Sequence, residues 1–347
     1  MLQLQHARKK FTKFKRQDRT AERKAKLERD PMIERLHERF GRFFDLVEDN
    51  QDALKAIKHS DPHAMREVMT SLASQAIGDI RCSAEEIEKL SLTVPKRSHE
   101  EEREGLYSVF IDLLILNGRD KEYTVRCHDW HPFYTGMFNE KKITFNGNPF
   151  TAGLAMEGGH LVINGEADHV GEFMRGGLIE ARACGLAGDH MKGGRIKIAG
   201  DVLLRAGSDM TDGLIEIGGN CQTAGLRMKG GAIEVNGNSR CIGSQMENGI
   251  IWVYGNVDTT SGLYGGTLHI GGDINEVAGI SSGEVSVLGN CRKLGWGMTG
   301  GSVVVYGNVH RIEGMRGGQV HVHGDIDIIE ENTRGRIFHK RKLVVDK

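Results

Sequence analysis

From residue 143 the chain repeats one short pattern. Two apolar residues alternate with polar ones, then comes Gly followed by Asn or Asp, an irregular stretch, Met, and a Gly-Gly step. The first glycine falls at 147, 165, 200, 219, 237, 255, 272, 289, 307 and 324, with Ala183 filling the slot between 165 and 200. Those eleven marks are 17–19 residues apart. A propeller blade needs about 40 residues or more, so the period excludes one.

The apolar pairs before the marks, such as Ile233/Val235, Ile251/Val253 and Val303/Val305, alternate with period two. That places each pair on one face of a short strand. A coil of about 18 residues lets each strand pair with its equivalent one coil away, about 4.8 Å along the stack. No proline follows Pro149, as expected where interior strands must donate to both neighbours. Only five of the 47 glycines precede Gly147. Glycine at recurrent corners fits positive φ, inexpensive only without a Cβ. The expectation is a mainly β protein: a right-handed parallel β-helix of about eleven coils over 143–338, preceded by an α-helical N-terminal region with a basic arm.

The segment Met228-Lys229-Gly230-Gly231-Ala232-Ile233-Glu234-Val235-Asn236-Gly237-Asn238 carries a resemblance. It resembles the GXGXG domain, a right-handed β-helix at the C-terminal end of the glutamate synthase large subunit. It is also similar to the β-helical subunit of formylmethanofuran dehydrogenase. The likeness covers roughly 143–337. It implies a scaffold that packs against catalytic subunits and holds no catalytic residue itself.

The rest of the chain reads differently. Residues 1–30 form a basic helical arm. Over 1–29, eleven Lys/Arg face three Asp/Glu, a net +8 within a chain whose total is −1. Residues 31–103 read as helices and a charged linker. Asp30-Pro31 and Asp61-Pro62 are start signals, and Ser83 with Glu86 is a capping box. Residues 104–142 read as a β segment covering the end of the stack, with strands at Val109–Leu116 and Glu122–Cys127. Residues 339–347 read as a tail.

Few residues in this pattern suggest chemistry. The Asn and Asp after each glycine mark read as a stacked ladder, since both hydrogen-bond local backbone. Cys221 and Cys291 follow ladder residues, with Cys241 one coil from the level of Cys221; small buried turn residues are the reading. His128 and His131 form one histidine cluster. His321 and His323 point outward and would hold zinc only with a third ligand. No catalytic residue, metal site or cofactor is expected.

Two sets of residues point to partners. Trp252, Tyr254, Val304 and Tyr306 lie outward on one strand stack, with His269 and Ser286 between. Such a strip suggests a docking surface. Arg8, Lys9, Lys10, Lys13, Lys15, Arg16, Arg19, Arg23, Lys24, Lys26 and Arg29 surround the arm, with Phe11 and Phe14 as anchors. Basic charge of this density suits RNA or an acidic protein. The functional expectation is a cytoplasmic scaffold subunit of a larger complex or a homo-oligomer. The alternative is an RNA- or ribosome-associated protein acting through the arm. A membrane partner is not expected, since no run of 18 apolar residues occurs.

Overall fold

The computed structural model describes residues 26–52, 62–94, 101–127, 132, 134–137 and 139–347. Among the described residues, four helices precede a parallel β-solenoid of about twelve turns.

Helix α1 (Pro31–Asp49) begins where Asp30 accepts the Met32 amide at 3.0 Å. It buries Ile33, Leu36, Phe40, Phe43 and Val47. Helix α2 (Pro62–Ile77) starts at its proline. Helix α3 (Ala84–Thr93) carries the reciprocal Ser83–Glu86 capping box.

Helix α4 (Glu101–Asn117) corrects the expected strand at Val109–Leu116. From Tyr107 to Ile115 every residue is buried. A helix buried all round shows no amphipathic period, so its sequence resembles an apolar strand run. One side of α4 meets α1, where the Phe40 and Phe43 rings lie 5.6 and 5.7 Å from Phe110. The other side meets the solenoid.

The solenoid starts earlier than the repeat suggests. Strand β1 (Glu122–Arg126) pairs in parallel with β3 (Lys142–Asn146), and β2 (Tyr134–Thr135) with β4 (Thr151–Ala152). The described residues of 122–142 thus belong to the stack. The covering is done by helices, whose side chains take up N–H groups on the exposed edge. Arg126 N–H donates to Ser91 Oγ at 3.0 Å, Tyr134 N–H to Ser108 Oγ at 3.3 Å, and Met137 N–H to Asp112 Oδ2 at 3.1 Å. The core runs unbroken from helices into coils.

Two sheets run the length of the rod. In the first, Ile233, Ile251, Leu268, Val285, Val303, Val320 and Ile337 stand in successive register. In the second, Cys221, Ser239, Val257, Ile274, Cys291, Val309 and Ile326 do the same. All these core positions except Ile326 are buried. The methionines at the corner, among them Met210, Met228 and Met246, are fully buried.

Glycine serves two physical purposes at the corners. Gly231 has φ +84°, and a Cβ there would also meet Met210 Cε at 2.6 Å. Gly237 does not have positive φ; a Cβ there would lie 2.6 Å from both the Gly219 carbonyl and Asn220 Oδ1. At the marks that carry glycine, such as Gly237, close approach of the neighbouring coil therefore leaves no room for a side chain, whereas the coil at Ala183 admits a Cβ. The positive-φ expectation holds only at the Gly-Gly step and at a further corner before Met.

The ladder forms and has a direction. Asn220 Oδ1 accepts the Asn238 amide at 2.9 Å, Asn238 Oδ1 the Asn256 amide at 2.7 Å, and Asn256 Oδ1 the Asp273 amide at 2.8 Å. Asp273, Asn290 and Asn308 continue it to Asp325. At the far end, the expected tail forms β24 (Lys342–Asp346), antiparallel to β23 (Arg336–His339).

Candidate docking face

The outward positions of the first sheet form two adjacent rows. One runs Glu180, Lys197, Glu216, Glu234, Trp252, His269, Ser286, Val304, His321 and Phe338, each in register with the next. Parallel stacking puts equivalent side chains about 4.8 Å apart. Trp252 and Val304 are thus three coils apart on one row, as the alternation requires.

The row changes character at Trp252. Before it the row is charged, and two of its carboxylates are held in ion pairs: His160 contacts Glu180 at 2.9 Å, and Arg195 grips both carboxylate oxygens of Glu216. From Trp252 onward the row is aromatic, aliphatic and imidazole, with Ser286 the one small polar residue. The second row follows each strand's last residue and carries Tyr254, Leu288, Tyr306 and His323. Tyr254 is 59% exposed, Leu288 61% and Tyr306 51%.

Rings stack coil on coil. Trp252 and His269 have centroids 5.8 Å apart with planes at 15°. Tyr306 and His323 are 4.8 Å apart at 8°, and His321 and Phe338 are 4.4 Å apart at 1°. Offset-stacked rings hold one another flat, so the strip is ordered before any partner arrives. His321 and His323 are engaged with Phe338 and Tyr306. Among the described residues no group of three or more His, Cys, Asp or Glu is placed to hold a metal.

The structure brings together Trp252, Tyr254, Val304 and Tyr306, and adds Leu288 and Phe338. Sequence reasoning missed these two, although both obey the same alternation. The arm falls largely outside the described residues, as do Phe11, Phe14, His128 and His131; Lys26 and Arg29 are described and exposed.

The cysteines are placed as small inward residues. Burial pushes the Cys221 and Cys291 thiols up to about 12. Burial also raises Cys127 and Cys184. A protonated thiol is a poor nucleophile. Cys241 lies level with Thr223 rather than Cys221, half-buried and bonded to Ser244 Oγ at 3.0 Å.

Two polar clusters lie at corners. His190 Nε2 is 3.9 Å from Asp209 Oδ2, and Arg227 holds Asp209 by two bonds of 3.0 and 2.6 Å. That guanidinium keeps the Asp209 carboxyl below its ordinary range. Near the helices, Glu157 meets Arg66 at 2.7 Å, His63 at 3.3 Å and Arg175 at 3.6 Å, fastening α2 to the first coils.

Among the described residues no helix is long and apolar enough to cross a membrane. Comparison with known protein families, with curated proteins and with solved structures returns no match.

Proposed function

We propose that the chain is a scaffold subunit without chemistry of its own, which docks in a larger cytoplasmic complex through the strip from Trp252 to Phe338. The observation that carries this reading is the stacked aromatic strip on one sheet, half-buried along the row of Trp252 and exposed at Tyr254, Leu288 and Tyr306. Aromatic residues dominate the energetics of protein interfaces. The buried thiols and the arginine-bound Asp209 fit a rod built for shape rather than catalysis. The GXGXG resemblance supports a complex of the formylmethanofuran dehydrogenase or glutamate synthase type.

The test is native capture with mass spectrometry, comparing the wild type with a Trp252→Ala/Tyr306→Ala variant. A discrete set of partners should be retained by the wild type and lost by the variant at unchanged thermal stability. Equal capture by both overturns the reading.

A second reading rests on the +8 charge of residues 1–29: RNA or ribosome binding through the arm. Such binding should weaken steeply with salt through counterion release. RNA binding that survives deletion of residues 1–29 removes it.

A further inference from the structure

The two ends of the rod are finished differently. At one end, Ser91, Ser108 and Asp112 take up edge amides of the first coil. At the other, among the described residues, β24 pairs with β23 alone and β22 (Ile326–Ile329) with β20 (Val309–Ile312) alone. Each keeps one strand edge unpaired.

An open strand edge invites another chain, and proteins ordinarily blunt it with like charges, prolines or bulges. β24 has one such device: its register with β23 slips by a residue, leaving Val344 without a partner there. The slip does not bury the apolar residues. Leu343 and Val344 are each 48% exposed, and Ile328 of β22 is exposed as well.

The two charges within β24 are of opposite sign. Lys342 lies two residues before Val344 and Asp346 two residues after, both exposed. Two copies of this strand running antiparallel about a two-fold axis at Val344 place each Lys342 opposite the other copy's Asp346. The same register sets each Leu343 opposite the other copy's Val345. Opposite charges across such a pair stabilise it, and like charges destabilise it. Over Lys342–Asp346 the strand is thus complementary to itself, the requirement of an isologous interface; just outside it the same register sets Arg341 opposite the other copy's Lys347.

We propose that a second copy of the chain occupies this edge, giving a tail-to-tail dimer through β24. The helical regions then lie at the two far ends, and the assembly offers two docking faces. This inference is independent of what those faces bind.

Sedimentation equilibrium of the full chain tests it. The wild type should be a dimer. Lys342→Glu and Asp346→Lys should each weaken association about tenfold or more, since every variant creates two like-charge contacts. The Lys342→Glu/Asp346→Lys double variant should restore it. Val344→Cys should form an intermolecular disulfide under mild oxidation, because the residue sits at the axis. A wild type that stays monomeric at tens of micromolar overturns the proposal. So does a dimer whose affinity neither single variant changes, or one that Trp252→Ala dissolves while the β24 variants do not. Partner capture by the docking face is read separately, on monomeric variants.

Discussion

Met137 N–H donates to the Asp112 carboxyl at 3.1 Å, tying the first coil of the solenoid to the buried face of α4. Burial pushes this carboxyl up from its ordinary 3.8 to about 8, against the amides of Met137 and Gly136, which favour the charged form. In the folded protein it stays protonated over a range where the unfolded chain's carboxyl is ionised. Its contribution to stability is therefore fully present below the ordinary carboxylate pKa and is lost as pH rises toward about 8.

Asp112→Asn keeps an acceptor for the Met137 amide and does not titrate. Between about pH 5 and pH 8, the urea midpoint should fall more for the wild type than for this variant. Asp112→Ala leaves the amide without a partner and should cost about 1–3 kcal/mol at about pH 5, and less at about pH 8, where the wild type has lost the contribution. A wild-type midpoint that does not move between the two would contradict the buried, protonated carboxyl.

His63 has the opposite sign. Burial, and then the Arg175 guanidinium, pull its pKa below the ordinary 6.5, with Glu157 opposing. Its contribution is present above the ordinary value and is lost as pH falls through the lowered one. Acidification should loosen the junction of α2 with the first coils. Hydrogen exchange in α2 peptides, corrected for intrinsic rate, should speed up at about pH 5 relative to about pH 7. His63→Gln should suppress that change.

The ladder can be tested at adjacent positions. Asn238→Ala removes the acceptor for the Asn256 amide and should cost about 0.5–1.5 kcal/mol. Gly237→Ala drives a Cβ to within 2.6 Å of the Gly219 carbonyl and should cost about 1–3 kcal/mol. Chemical denaturation should rank glycine above asparagine. The reverse order would mean that the coils can move apart at that corner.

Thiol labelling separates the cysteines. With Cys221 and Cys291 buried and pushed up to about 12, iodoacetamide should leave both unmodified in the native protein. The half-buried Cys241 should react before them, as read by peptide mass spectrometry. Early loss of Cys291 would show that the later coils open on the labelling timescale.

The repeat made the solenoid legible, because period-two apolar pairs at a fixed spacing admit few folds. The outward row was legible for the same reason: the placement of Trp252 and Val304 follows from alternation alone. What the pattern hid was set by tertiary contact. Residues Tyr107–Ile115 are buried on every side, so α4 has no polar stripe to betray a helix. β1 lacks the glycine mark of later coils, and only its pairing with β3 shows it to be part of the stack. Ring stacking of His321 on Phe338 depends on which residues the next coil brings alongside, which spacing within one coil does not encode.

Each ladder asparagine grips the backbone of the following coil and nothing further away. Coupling along the seam is therefore between nearest neighbours, and the rod is mechanically a string of like links. Pulled from its two ends, it should yield link by link in a sawtooth of near-equal steps, each releasing about 60 Å of contour length.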